Sequence, residues 1–119
     1  MPFDNPPQPR EDVRLLRLAK RQIDSEWRWT KGRYRHHNRV CTVEAIRVAC
    51  GNRQRHLSPM SRHLLRVLAN ELPRGPRWVA RVLGARSAMI MFNDSKGTTH
   101  QMVMEVFDSA ITRLELEAV

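Results

Sequence analysis

Apolar residues recur every three or four positions near both ends of the chain, which predicts amphipathic helices there. A first helix fits residues 10–26, and acidic residues in its first turn complement the helix dipole. Its apolar positions are Val13, Leu16, Ala19, Ile23 and Trp27. The clearest pattern occupies residues 102–114, and Thr98 and Gln101 before it have the spacing of a capping box. These two patterns predict the first and the last helix.

Two shorter patterns predict helices in the middle of the chain. The first spans residues 42–50, and Gly51 is expected to end it. The second begins at Ser58, a capping hydroxyl that is followed by a proline at the first helical position. Pro73 is expected to end that helix, because proline cannot continue the helical hydrogen bonds.

The remaining segments are less regular. Residues 73–76 have the composition of a connector, and a fourth helix is predicted over residues 77–83. The apolar segment 87–92 is the one place where the sequence allows a strand, but it is too isolated to build a sheet. Residues 28–40 show no periodicity, and the polar cluster around Gly32 indicates a loop or a short hairpin.

Together these segments predict an all-α fold, a compact bundle of four to five short helices. Residues 10–119 are expected to form this single domain, and the proline-rich residues 1–9 a flexible arm before it. No run approaches the ~18 apolar residues that a membrane span needs. The first residues also lack the apolar stretch of a secretory signal. With only two cysteines, the sequence favours a cytoplasmic protein.

Positive charge is concentrated in the middle of the chain. The formal net charge is +9, and residues 27–66 carry ten cations and one anion, Glu44, whereas both flanking segments are balanced. Glu44 is expected to be a counter-ion for Arg47 or Arg39. Concentrated like charge lowers stability unless a partner or counterions neutralise it. The segment is therefore either a solvated surface that keeps the protein in solution or a surface that binds an anionic partner.

Aromatic rings are interleaved with the cations of residues 27–39. Cations neutralise phosphates and aromatic faces stack on bases, a combination typical of proteins that bind single strands. Trp27 continues the apolar stripe of the first helix and Trp29 is also expected in the core, so Tyr34 is the candidate stacking ring. The candidate nucleic-acid-binding residues are Arg28, Lys31, Arg33, Tyr34, Arg35, Arg39, Arg53 and Arg55.

Other kinds of site are disfavoured. Ala80, Gly84 and Ile90 have the spacing of a helix-turn-helix, but its second helix would lack a polar face, so a buried helix pair is preferred. The cysteines lie nine positions apart and His56 and His63 seven, wider than structural zinc ligands usually are. No sequence signature surrounds a nucleophile. We expect no metal, no cofactor and no enzymatic activity.

Three short motifs give the chain a family resemblance. They are Trp29-Thr30-x-Gly32, Cys41 followed by Ala45, and Phe92-Asn93-Asp94 leading to Thr98 and Val103. With them, residues 12–115 resemble a family of small uncharacterised bacterial and phage proteins that are classed as a domain of unknown function, although that family usually has tryptophan at the position of Phe92. The resemblance implies the order of the elements and no activity.

The last of these motifs has the composition of a turn. Asn93 or Asp94 is expected to accept backbone amides as an Asx turn, and Gly97 to adopt a positive φ. This predicts a structural role for the two polar side chains.

The expected function is that of a non-enzymatic binding protein. Its surface from Arg28 to Arg66 is expected to contact the phosphates of nucleic acid, DNA or RNA, without sequence specificity. The alternative is a protein-interaction module, a phage or regulatory factor, whose arginines dock an acidic partner protein. The sequence leaves the oligomeric state open.

Overall fold

A computed structural model of the protein describes residues 10–51 and 57–117. Over these two ranges the chain forms six α-helices, one 3-10 turn and one two-stranded hairpin. The helices are α1 Glu11–Gln22, α2 Thr42–Ala49, α3 Pro59–Ala69, α4 Arg74–Leu83, α5 Ala85–Asp94 and α6 His100–Glu117. The predicted all-α fold is confirmed only as a mostly α one, because the chain also forms a two-stranded sheet and has more helices than the four to five expected. The predicted arm, residues 1–9, lies outside the described residues.

The first helix is shorter than its apolar pattern suggests. α1 ends at Gln22, and a 3-10 turn over Glu26–Arg28 follows it. Ile23 is fully buried, whereas the side chain of Trp27 is 69% exposed. The prediction that Trp27 belongs to the core is wrong, because it extends the helical period through a segment that is not α-helical.

The segment after this turn forms a hairpin. Strand β1 (Arg35–His36) pairs antiparallel with strand β2 (Arg39–Val40), and His37 in the turn has a positive φ of 54°. The Thr30 amide donates to the carbonyl of Val40 at 3.1 Å, so the hairpin is tied to the chain that precedes it. The predicted loop or short hairpin is therefore a hairpin.

Helices α2 and α3 begin where the sequence predicts. The Ser58 hydroxyl accepts the amide of Ser61 at 3.1 Å and caps α3. The Cys41 sulfur accepts the amide of Glu44 at 3.4 Å at the start of α2. Gly51, with a φ of 74°, ends α2 as expected, since glycine adopts this left-handed conformation without a steric penalty.

Two full helices occupy residues 74–94, which explains the larger number of helices. α4 begins directly after Pro73, so the predicted connector at 73–76 is already helical. Gly84 has a φ of 97° and separates α4 from α5. The apolar segment 87–92 lies inside α5 and is not a strand.

The capping residue of the last helix is Thr99 rather than the predicted Thr98. The Thr99 hydroxyl accepts the amide of Met102 at 3.2 Å, and α6 starts at His100. Thr98 is buried, and its amide donates to the carbonyl of Ser95 at 3.0 Å in the preceding turn. Adjacent threonines have the same capping chemistry, so the sequence pattern does not distinguish them.

Five of the six helices enclose the hydrophobic core. Each contributes a fully buried side chain: Leu16 from α1, Ile46 from α2, Leu64 from α3, Met89 from α5 and Phe107 from α6. α1 packs against α2 and α6, and α5 packs against α3 and α4. All ten residues of α4 are described, and none of them is buried. α4 therefore lies on the outside of the bundle and is held mainly by α5.

Candidate nucleic-acid interface

Two of the three motifs of the family resemblance, those of Trp29-Thr30 and Asn93-Asp94, meet in one hydrogen-bonded junction centred on Asn93, which is 1% exposed. Asn93 Oδ1 accepts from the Trp29 ring nitrogen at 2.7 Å. The same oxygen accepts from the hydroxyl and the amide of Thr42 at 2.7 and 3.1 Å. Asn93 Nδ2 donates to the Thr30 carbonyl at 3.0 Å and to Asp94 Oδ1 at 2.9 Å. Both polar atoms of the side-chain amide are thus satisfied inside the protein. We call these five residues the motif junction.

Asp94 joins the junction to the turn before the hairpin. Its Oδ1 also accepts the amide of Gly32 at 2.8 Å, and Gly32 has a φ of 75°. The two polar side chains therefore have structural contacts, as expected, but their partners are distant in the sequence. Gly97 does not have the predicted positive φ. The expected local Asx turn is replaced by a link between α5 and the residues that precede the hairpin.

Lys31, one of the predicted phosphate contacts, is engaged within the protein. Its Nζ donates to the Ser95 carbonyl at 2.6 Å and lies 5.4 Å from the centroid of the Trp29 ring. Lys31 therefore ties the segment before the hairpin to the end of α5.

Four predicted arginines have exposed side chains in or next to the hairpin. These hairpin arginines are Arg28, Arg33, Arg35 and Arg39. Carboxylates of the described residues approach two of them at long distances: Asp24 lies 3.9 Å from Arg28, and Glu44 lies 3.5 Å from Arg35. The hairpin arginines thus keep most of their hydrogen-bond donors available to a partner.

Arg35 connects two depressions of the surface. One has a volume of about 400 Å³ and is called the Arg86 depression, and the other has a volume of about 790 Å³ and is called the Trp27 depression. Arginines of the Arg86 depression are Arg33, Arg35, Arg47 and Arg86. Arginines of the Trp27 depression are Arg28, Arg35 and Arg39. Because Arg35 lines both, the two depressions adjoin.

A third depression extends this region toward α3. It has a volume of about 480 Å³, shares Leu57 and Arg86 with the Arg86 depression, and adds Arg62 and Arg66. Within the described ranges, eight arginines therefore line three adjoining depressions, which we call the basic surface: Arg28, Arg33, Arg35, Arg39, Arg47, Arg62, Arg66 and Arg86. Of the carboxylates in those ranges, Glu44 alone lines them.

Glu44 is buried beside this surface and holds Arg47. Arg47 Nε donates to Glu44 Oε2 at 3.1 Å, and Arg47 Nη2 donates to Glu44 Oε1. The expected counter-ion role of Glu44 for Arg47 is confirmed, and its second partner is Arg35 rather than Arg39. The pair is internally neutral, so Arg47 contributes less free charge than its neighbours.

Several other described carboxylates, on α1 and α6, form ion pairs with cations of α1. Asp108 of α6 lies 2.6 Å from Lys20 of α1, and Glu115 pairs with Arg17. Within α1, Glu11 lies 2.6 Å from Arg14. These acids pair with cations of α1, and none of them lines the basic surface.

Two rings near the hairpin, Tyr34 and Trp27, differ from their expected exposure. Tyr34, the expected stacking ring, is half-buried, and its hydroxyl accepts from Arg86, whose guanidinium carbon lies 5.7 Å from the ring centroid. Trp27, expected in the core, lines the Trp27 depression with its ring exposed. Trp27 is therefore the more exposed of the two rings.

The histidines of the hairpin lie within this positive field. Desolvation lowers the pKa of His36, and the charges of His37, Arg33 and Arg39 lower it further. The rings of His36 and His37 lie 4.4 Å apart between centroids. Protonation of His36 is opposed because it would add a positive charge among others.

A second exposed patch lies on α4, apart from the predicted residues. Trp78 is 63% and Val82 is 59% exposed, and their four-residue spacing places them on one face of the helix. Arg74, Arg77 and Arg81 form an adjacent row, and all three are exposed. The preferred sequence interpretation, a buried helix pair, thus holds for α5 but not for α4.

The described part of the chain also bears on three other kinds of feature: metal sites, reactive cysteines and membrane-spanning helices. No group of three or more His, Cys, Asp or Glu side chains there is arranged to hold a metal ion. Burial raises the pKa of the Cys41 thiol and that of the Cys50 thiol, so neither is activated as a thiolate. No helix in residues 10–51 or 57–117 is long and apolar enough to cross a membrane. Arg53 and Arg55 lie outside the described residues.

Comparison with known proteins places the chain in a family. The family described as "Family of unknown function (DUF6197)" matches residues 7–113. No curated protein matches the chain significantly, and no solved structure does. The matched range contains the motif junction and all eight arginines of the basic surface. The chain therefore belongs to the family of unknown function DUF6197.

Proposed function

We propose that this protein binds nucleic acid through its phosphates, without sequence specificity, and that the basic surface is the contact. The observation that carries the proposal is the convergence of eight arginines on three adjoining depressions, with Glu44 as the one lining carboxylate among the described residues. Arginine suits this role because its planar guanidinium can donate two parallel hydrogen bonds to a phosphate.

The hairpin arginines are the first contacts in this proposal. Arg33 and Arg39 have no ion pair with a described carboxylate, and Arg28 has only a long one to Asp24. A phosphate therefore displaces solvent and counterions rather than an internal partner. Release of the counterions condensed on the nucleic acid supplies most of the free energy of such non-specific binding.

Trp27 favours a single strand over a duplex in this proposal. It is exposed in the same depression as Arg28 and Arg39. A base whose phosphates contact these arginines can stack on the indole ring, which contributes about 1–3 kcal/mol. The bases of a duplex are stacked on each other and do not offer their faces.

Matched tryptophan variants test the proposal. Fluorescence anisotropy with labelled single-stranded DNA and RNA of random sequence, at about 150 mM salt, measures the dissociation constant. Trp27→Ala is expected to weaken binding by roughly five- to 150-fold, since ~1.4 kcal/mol corresponds to tenfold. Trp78→Ala removes an equally exposed tryptophan outside the basic surface and is expected to leave binding unchanged. Absence of binding by the wild-type protein, or equal losses in both variants, would overturn the proposal.

The α4 patch favours a second candidate, docking of an acidic partner protein. Trp78 and Val82 offer an apolar contact, and the adjacent arginine row matches a partner helix that carries Asp or Glu beside Leu or Ile. Interfaces of this kind concentrate their energy in tryptophan and arginine anchors. A helical peptide of that design is expected to bind the wild-type protein and to lose affinity with Trp78→Ala but not with Trp27→Ala. The reverse dependence would reject this candidate.

A further inference from the structure

We infer that the Arg86 depression binds a phosphate monoester carried by a nucleoside, either the phosphorylated end of a nucleic-acid strand or a free mononucleotide. This inference rests on the proposed function and gives it a defined subsite. The depression has a volume of about 400 Å³, and its lining joins guanidinium groups to apolar side chains. Volumes of roughly 300–1,000 Å³ are typical of sites for small ligands.

The charge of the depression suits a dianion. Glu44 and Arg47, which both line it, form an internally neutral pair. Arg33, Arg35 and Arg86 remain, and the contact of Arg35 with Glu44 is long, at 3.5 Å. A phosphate monoester carries a charge of about −1.5 to −2 near neutral pH, whereas each internal phosphodiester of a strand carries −1. A terminal phosphate therefore matches this site better than an internal one.

The guanidinium groups are already positioned by contacts within the protein. Arg86 donates to the Tyr34 hydroxyl and lies over the face of the Tyr34 ring. Arg33 Nη1 lies 3.1 Å from His36 Nδ1. A side chain that is held before the ligand arrives loses less conformational freedom on binding. These contacts distinguish the depression from a set of freely moving surface arginines.

Apolar side chains complete the site. Val43 and Leu57 line the depression together with Tyr34, and inorganic phosphate would leave this part of the volume empty. A sugar and a base attached to the phosphate can cover the half-buried Leu57 and Tyr34, whereas Val43 is already buried beneath them by the fold. Since Arg35 also lines the Trp27 depression, a strand whose end lies here can continue past Arg35 toward the exposed indole.

Short oligonucleotides of one sequence test the inference. Competition anisotropy compares strands with a 5′-phosphate, a 3′-phosphate or hydroxyl groups at both ends, together with a free nucleoside monophosphate and its nucleoside. We expect either the 5′-phosphorylated or the 3′-phosphorylated strand to bind about tenfold more tightly than the strand with hydroxyl groups at both ends, because the terminal phosphate accepts additional charged hydrogen bonds. We also expect the monophosphate, but not the nucleoside, to compete.

Matched variants assign the effect to the depression. Arg86→Ala is expected to weaken binding of every strand and, in addition, to remove the preference for a terminal phosphate. Arg33→Ala is expected to have the same two effects and provides a second, independent removal. Arg28→Ala lies outside this depression and is expected to weaken all strands equally and to keep the preference. Thermal melts of each variant verify that it is folded.

The outcomes separate this inference from the proposed function. Equal affinity for all strands would overturn the monoester site and leave non-specific nucleic-acid binding intact. Arg86-dependent binding of the monophosphate without binding of any strand would support the site as one for a free nucleotide and overturn the proposed function. If neither the strands nor the monophosphate binds, both the proposed function and the monoester site are overturned.

Discussion

Replacing Asn93 by alanine removes the side chain on which the motif junction is centred. Its oxygen accepts three hydrogen bonds, from the Trp29 ring and from the hydroxyl and amide of Thr42. Its nitrogen donates to the carbonyl of Thr30, in the segment before the hairpin. In Asn93→Ala all of these groups lose their partner, and one of the links between α5 and the segment before the hairpin is removed.

The burial of these groups sets the size of the effect. Thr42 is 0% exposed, so its two donors lose their partner without access to water, whereas Trp29 is half-buried and water can reach its ring in part. A buried donor left unsatisfied costs about 1–3 kcal/mol. For two unsatisfied donors we therefore expect the free energy of unfolding to fall by roughly 2–6 kcal/mol. This is a large fraction of the ~5–15 kcal/mol that stabilises a typical domain.

Urea denaturation followed by circular dichroism measures this loss. Asn70 is an exposed asparagine after the end of α3, and Asn70→Ala is expected to change the free energy of unfolding by less than about 0.5 kcal/mol. Asn93→Asp keeps an acceptor but replaces the donor to Thr30 by an oxygen, so it is also expected to destabilise. An Asn93→Ala variant as stable as Asn70→Ala would refute the role of the junction.

Three further results are expected. The pKa of His36 lies below its ordinary value of 6.5, so the free energy of unfolding is expected to decrease as the pH falls through 6.5. Bound oligonucleotide is expected to raise the pKa of His36, as measured by NMR titration. Ser58→Ala removes the α3 cap and lowers the free energy of unfolding by about 1 kcal/mol in urea denaturation. Gly84→Ala, at a φ of 97° and a ψ of 162°, lowers the free energy of unfolding by about 1–3 kcal/mol, and an unchanged denaturation midpoint would contradict this expectation.

The regular part of the fold could be predicted from the sequence because local signals agreed with tertiary packing. Periodicity located α1, α2, α3 and α6, and the Ser58 cap and Gly51 stop are both observed. Where local signals were ambiguous, the predictions failed. Periodicity does not show that α1 stops at Gln22, and it therefore placed Trp27 in the core.

The helices after Pro73 were harder to predict for a related reason. The predicted end of the fourth helix at residue 83 is observed, and Gly84 follows it with a positive φ. The predictions failed on either side of this break, at the start of α4 and in α5. The short apolar segment that follows has no periodicity of its own. Its helical state comes from packing of α5 against α3 and α4, which is tertiary information.

The candidate site could be predicted only in part. Counting charge along the chain located the hairpin arginines, because they are close in sequence. Arg86 lies in a segment whose charges balance, so no local count indicates it, and only folding brings it to Tyr34. The motif junction illustrates the same point, since Asn93 was expected to form a local turn but meets residues more than fifty positions away.

The salt dependence of binding to single strands tests the central claim most directly. If the four hairpin arginines each neutralise one phosphate, the slope of log K against log salt is about −3, from ~0.7 per phosphate. The double variant Arg28→Ala/Arg39→Ala is expected to halve this slope, and Arg74→Ala/Arg77→Ala, which removes two exposed arginines of α4, to leave it unchanged. A slope near zero, or equal losses in the two double variants, would contradict the account.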